Sequence, residues 1–189
     1  AERVALNFIQ RLSGIATLTA EFVHKVSPYR VAILDTRKTT PGLRRLEKYA
    51  VLCGGGRNHR MGLDDMILIK DNHRIFWVGE GGLGEAVRAA RRAYPRIPVE
   101  IEVENESELR DALTGRPDWV LLDNMTPTQL ARCSKIAHGQ CKLEASGGIG
   151  IDAIQRIART GVDAISIGRL THSAPAIDMS LELVAIPHG

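Results

Sequence analysis

The chain has 189 residues, is 44% hydrophobic and carries a net charge of +3. That supports one globular domain and excludes a disordered chain. Dispersed basic residues and an aromatic content of only 4% exclude an extended nucleic-acid surface.

No apolar run approaches the roughly 20 residues of a membrane span. Ala1-Glu2-Arg3 has neither the basic nor the apolar region of a signal peptide. Cys53, Cys133 and Cys141 lack metal-ligand spacing, so a reduced, cytoplasmic chain with cysteines as small packing residues is expected. Asn105-Glu106-Ser107 matches a glycosylation sequon, but nothing else looks secreted.

Apolar positions from Val4 to about Lys25 predict a long helix with a broad buried face, bent near Ser13-Gly14. The apolar run Val31–Leu34 predicts a buried strand. It is followed at once by Thr36, Arg37 and Lys38 and by the turn Pro41-Gly42. A helix over Leu43–Cys53 leads to a glycine-rich loop that carries His59 and Arg60. Met66–Ile69 reads as a second strand and delivers Lys70.

A helix over Leu83–Tyr94 precedes the strand Val99–Val103, in which Glu100, Glu102 and Glu104 alternate with apolar residues. Several acids on one face of an interior strand point to a polar barrel interior. Ser107–Leu113, flanked by acids, starts as helices do. Trp119–Leu122 is a strand ending in Asp123, a metal-side acid or a helix cap, and Pro127–Ala137 is a helix. Lys142–Ala145 ends in Ser146-Gly147-Gly148, before a helix over Ile151–Thr160. Bare backbone N–H groups and a positive helix end there suit a phosphate. Ala164–Ile167 ends in Gly168, with His172 close behind.

Strand–helix alternation implies parallel strands. Six strands are too few for a closed eightfold barrel, leaving an open α/β barrel or a doubly wound sheet. In a barrel the C-terminal strand ends build the site. There, cations would bind several negative charges, and Glu102 and Asp123 would hold sugar hydroxyls or Mg²⁺ through water. Gly79-Glu80-Gly81-Gly82-Leu83-Gly84 also matches G-x-G-x-x-G, which makes a dinucleotide site the competing pattern. It would leave Arg37, Lys38, His59, Arg60 and Lys70 unexplained.

The stretches Asp35–Gly42, Tyr49–Gly56, Asn58–Arg60, Ile69–His73, Leu121–Asn124 and Glu144–Ile149 resemble quinolinate phosphoribosyltransferase, the carboxylating nicotinate-nucleotide pyrophosphorylase, in the family's order. The resemblance implies an open, TIM-barrel-like α/β barrel of about six parallel strands behind an N-terminal helix. It implies a pentosyltransferase that makes nicotinate mononucleotide, carbon dioxide and pyrophosphate from quinolinate and phosphoribosyl pyrophosphate, with Mg²⁺, in NAD synthesis. Homodimers or larger assemblies are implied.

By resemblance, Arg37, His59 and Arg60 bind quinolinate, and Thr36 lies beside them. Lys38 and Lys70 contact phosphoribosyl pyrophosphate or the second carboxylate. Glu102 and Asp123 are the ribose- and magnesium-side acids. Ser146, Gly147, Gly148 and Gly168 form phosphate loops, with His172 nearby. The family's N-terminal mixed α/β domain, and an arginine that a neighbouring subunit contributes, have no counterpart in these residues. The alternatives are a paralogue with another substrate and a non-catalytic phosphosugar-binding barrel.

Overall fold

A computed structural model describes residues 2–75 and 81–183. In chain order the elements are α1 (Glu2–Val26), β1 (Ala32–Leu34), α2 (Arg44–Cys53), β2 (Ile67–Ile69), α3 (Asp71–Ile75), α4 (Gly82–Ala93), β3 (Val99–Val103), α5 (Glu106–Leu113), β4 (Trp119–Asp123), α6 (Pro127–Ala137), β5 (Lys142–Ser146), α7 (Ile154–Ala158), β6 (Ala164–Ser166) and α8 (Arg169–His172).

All strand pairs are parallel, in the order β1-β6-β5-β4-β3-β2. Sequential neighbours therefore pair except β1 and β2, and the wall stays open between them. This is the open α/β barrel expected, and a doubly wound order is excluded. The segment around His59 sits in the gap. Arg57 bridges to Leu34 on the free edge of β1, and Arg60 Nη1 donates to Met66 O, just before β2.

The apolar layer lies between sheet and helices, with Ile15, Phe22, Ile101, Leu109, Leu122, Leu130, Ile154 and Ile165 fully buried. On β3 the pleat sends Ile101 and Val103 to that layer and Glu100 and Glu102 to the other face. Glu100 is 0% exposed and Glu102 6%, whereas Glu104 falls beyond the strand and is exposed. Two of the three acids therefore belong to the polar interior.

Local signals explain most boundaries. Thr126 and Gln129 form a capping box with Pro127 in the first turn of α6. This removes the helix-cap reading of Asp123. Asn105, the first residue of the sequon, caps α5 by accepting from Glu108 N at 3.0 Å. Cys133 packs in the core, but Cys53 is exposed and is not a packing residue.

α1 runs unbroken through Ser13-Gly14, where the bend is expected. Gly14 admits the returning chain. A Cβ there would lie 1.9 Å from the Pro175 carbonyl oxygen. Ile177 N donates to Gln10 O and Gln10 Nε2 to Met179 O, tying residues 177–179 along α1. Gly14→Ala is expected to lower stability by about 1–3 kcal/mol, because backbone must move to admit the methyl group. Urea denaturation of both proteins checks this.

Candidate active site

The C-terminal strand ends surround a cavity of about 780 Å³. Thr36, Arg37, Lys38, His59, Arg60, Lys70, Glu102, Asp123, Ser146, Gly147, Gly148, Gly168 and His172 all line it. A recess of about 930 Å³ at the opposite strand ends gathers none of them. Its Arg88 and Arg91 are paired with Glu85 and Asp118.

Strand order distributes the chemistry around the rim. Beyond β1 stand Arg37 and Lys38. Beside them is Gly168, after β6. A Cβ on Gly168 would meet the His172 ring at 3.2 Å and Lys38 Cδ at 3.4 Å. Lys38, His172 and bare backbone thus share one corner. The Ser146-Gly147-Gly148 turn follows at β5, with Gly147 at φ 101° and Gly148 at φ 59°. A Cβ on Gly148 would meet nothing within 4 Å, so its backbone is open to the cavity. A correction concerns the helix behind this turn. α7 starts only at Ile154 and has five residues. The turn does not open directly into a helix, so backbone N–H groups, without a helix end, are what it offers an anion.

On the far side, Lys70 Nζ donates to Glu102 Oε2 at 2.9 Å, and Asp123 Oδ2 accepts from Asn124 Nδ2 at 2.7 Å. Two carboxylates on adjacent strands, bordering a cavity rich in anion-binding groups, fit Mg²⁺, which takes few carboxylates and completes its shell with water and phosphate. α3 begins immediately at Asp71, a helix unforeseen from sequence.

His59 reaches across the barrel. Its Nε2 lies 3.1 Å from Glu100 Oε2 on β3 and 3.3 Å from Glu144 Oε2 on β5. These three groups have the proximity of a metal site. Arg60 N, however, donates to His59 Nδ1 at 2.8 Å. Nδ1 is thus the acceptor and Nε2 carries the ring proton, so Nε2 has no lone pair for a metal. The cluster is a proton-sharing one.

Burial, then the Glu144 charge, push Glu100 up to about 7. Burial opposes charge on the His59 ring, and the neighbouring Glu100 and Glu144 favour it; with Nδ1 accepting from Arg60 N, the proton that the cluster holds lies on the Nε2 side. The three groups together keep a proton that they would release separately at neutral pH.

A pH effect follows. Folding raises Glu100 from its ordinary 4.5, so the folded chain binds more protons than the unfolded one between about 4.5 and 7. The stabilisation is complete below 4.5 and lost as pH rises through 7. Glu100→Gln is expected to flatten this fall, which at its steepest is about 1 kcal/mol per pH unit. Urea denaturation from pH 4.5 to 6.5, comparing slopes, checks it.

Arg37 and Arg60 are electrostatic neighbours: burial first, then the Arg37 charge, lowers Arg60 from the ordinary guanidinium value. Two half-buried guanidinium groups on one cavity repel each other, and a species with two negative charges would neutralise both.

The glycine-rich competitor fails on its described part. Gly79 and Glu80, and the preceding residues 76–78, lie outside the described residues. Leu83 N, at the start of α4, already donates to Asp111 Oδ2 at 2.8 Å. A carboxylate thus occupies the place a pyrophosphate would need, and Gly81, Gly82 and Gly84 lie off the cavity lining.

The model of the quinolinate phosphoribosyl transferase C-terminal domain matches residues 15–182. This chain belongs to that family. It is 47% identical over 183 residues to a probable carboxylating nicotinate-nucleotide pyrophosphorylase of Bacillus subtilis, covering 96% of this chain and 62% of the relative. It is 45% identical to the carboxylating nicotinate-nucleotide pyrophosphorylase of Mycobacterium leprae, covering 97% and 64%. The solved nicotinate-nucleotide pyrophosphorylase of Francisella tularensis superposes with a TM-score of 0.89 at 47% identity, over 95% of this chain and 63% of that one. The chain thus spans less than two thirds of these relatives.

Within this quinolinate phosphoribosyltransferase domain, sequence reasoning missed some lining residues: Glu144, Ser166, Asn124 and Arg169. Glu144 had a signal, since it alternates with Ser146 on one strand face. Arg169 had none beyond its place after Gly168.

Proposed function

We propose that this chain forms the catalytic barrel of a quinolinate phosphoribosyltransferase: quinolinate plus phosphoribosyl pyrophosphate give nicotinate mononucleotide, carbon dioxide and pyrophosphate. The observation that carries it is that Arg37 and Arg60 line the same cavity as the Ser146–Gly148 and Gly168 backbone. One wall fits a planar diacid and the other a sugar phosphate.

Arg37, His59 and Arg60 would bind the two adjacent carboxylates and orient the pyridine nitrogen toward the sugar. The nitrogen–C1 bond forms as the C1–oxygen bond to pyrophosphate breaks. Positive charge developing on the ribose is stabilised by Glu102 and Asp123, and charge on the leaving group by Lys38 and Lys70. Glu102 and Asp123 would hold Mg²⁺ through water, which supplies further neutralisation of the diphosphate charge. The ribosylated ring then accepts the electron pair released as the neighbouring carboxylate departs as carbon dioxide. A proton replaces it on the ring carbon.

The extra length of the relatives accords with the family's N-terminal domain and with an arginine reaching in from a neighbouring subunit. We therefore place the activity in a homodimer or larger assembly, in the cytoplasm. No helix among the described residues is long and apolar enough to cross a membrane.

The test incubates the assembled protein with carboxyl-labelled quinolinate, phosphoribosyl pyrophosphate and Mg²⁺. Labelled carbon dioxide and nicotinate mononucleotide in equal amounts are expected. Pyrophosphate release with another pyridine, and none with quinolinate, would replace this reading with a paralogue's.

A further inference from the structure

Two consecutive charged residues of α2, Glu47 and Lys48, are both 0% exposed. With Arg44 they share one face of the helix, at the i, i+3 and i+4 spacing. None of them lines the cavity. Each is bound to a segment that does.

Glu47 Oε2 accepts from Thr40 N at 3.0 Å and Oε1 from Thr40 Oγ1 at 2.7 Å. Arg44 donates to Thr39 Oγ1 at 3.1 Å and to Arg37 O at 3.4 Å. Glu47 is itself held by Arg11 of α1, whose Nε and Nη2 lie 3.2 and 3.0 Å from Oε1. Arg11 also donates to Thr171 O and to Ala174 O, and Thr171 Oγ1 donates to Lys38 O at 2.8 Å. The loop carrying Arg37 and Lys38 is thus fixed from α1, α2 and α8.

Lys48 serves the other loop. Its Nζ donates to His59 O at 2.8 Å and pairs with buried Asp35. Asp35 Oδ1 accepts from His59 N at 2.9 Å. Asn58 Nδ2 donates to Asp35 Oδ2 at 2.5 Å and to Lys48 O at 2.9 Å.

We infer that α2 sets the geometry of both cation loops, with Glu47 the positioning residue for Arg37 and Lys38, and Lys48, through Asp35 and Asn58, the positioning group for His59 and Arg60. A helix side that would ordinarily pack apolar atoms is given to two separate hydrogen-bonded networks. Short loops with several unscreened cations would otherwise spread apart, and each network offsets that repulsion with fixed acceptors and donors.

The inference rests on the substrate reading above and makes the two loops separable. Arg37 and Lys38 face both the diacid end and the Gly168 corner; His59 and Arg60 face the diacid end alone. Calorimetric binding of quinolinate and of phosphoribosyl pyrophosphate to the assembled protein is compared across Glu47→Gln, Thr40→Val, Thr40→Ser and Asn58→Ala.

Glu47→Gln is expected to weaken both ligands by roughly tenfold or more, with Thr40→Val acting in the same sense. Thr40→Ser, which keeps the hydroxyl and the N–H, restores binding. Asn58→Ala is expected to weaken quinolinate alone. Unchanged binding in all variants, or equal loss of both ligands in all of them, overturns the inference. If the unaltered protein binds neither ligand, the substrate reading fails instead. Backbone amide exchange then decides the positioning claim: faster exchange confined to Lys38–Thr40 in Glu47→Gln, and to His59–Arg60 in Asn58→Ala, upholds it. Unchanged exchange overturns it.

Discussion

Replacing Arg37 by alanine is expected to weaken quinolinate binding by about 100-fold and to leave phosphoribosyl pyrophosphate within about threefold. Arg37 is half-buried at the end of β1, and its Nε has no hydrogen-bond partner among the described residues. A buried, unpartnered Nε at a cavity wall is a donor that the proposed carboxylate would satisfy. After burial, the Arg37 charge also lowers the Arg60 pKa, as expected of two cations on one cavity. A 100-fold loss corresponds to about 3 kcal/mol, the upper range for a charge-assisted hydrogen bond. Arg37→Lys keeps the charge but loses the planar fork, so recovery should be partial. Titration calorimetry with each ligand decides the matter. Equal losses for both ligands would contradict the role given to Arg37.

The second large effect concerns folding. Lys48→Met is expected to cost about 3–5 kcal/mol, because it leaves the Asp35 carboxylate buried without its cation. Both partners are fully buried. Burial pushes Asp35 up and Lys48 down, and their mutual hydrogen bond and charges oppose both shifts. Removing Lys48 therefore leaves the burial of the Asp35 carboxylate opposed only by the hydrogen bonds from Asn58 and the His59 N–H. The double change Asp35→Asn with Lys48→Met should recover a substantial part of the loss, since neither remaining group is charged. Urea denaturation of the two single variants and the double variant forms the cycle. A Lys48→Met protein as stable as the unaltered one would remove the pair from the account of the fold.

Much of the fold was readable because buried parallel strands are short apolar runs and the helices between them keep their period. Val99–Val103 and Pro127–Ala137 occupy the residues that the pattern names. The misreadings have physical causes. What the sequence could not show at Gly14 is that its missing side chain serves a contact with Pro175, far along the chain. α3 and α8 are too short, at five and four residues, for periodicity to register. The Ser146–Gly148 turn looked like the mouth of a helix because Ile151 and Ala153, ahead of Ile154, already read as part of the apolar helical pattern.

At the site, sequence alone determined most of the residues that meet. Cations, acids and glycines placed just after successive strands must gather at one end, because parallel strands joined by helical crossovers all point the same way. What only the tertiary structure decided is how they face one another. His59 lies in a loop that no strand rule places, and it crosses the open barrel to Glu100 and Glu144. Lys48, within the helix predicted over Leu43–Cys53, is buried against Asp35, which periodicity does not show. Periodicity records how a chain meets its own neighbours. The pairing of buried charges depends on atoms brought together from distant segments, where desolvation leaves a charge stable only if its partner is in reach.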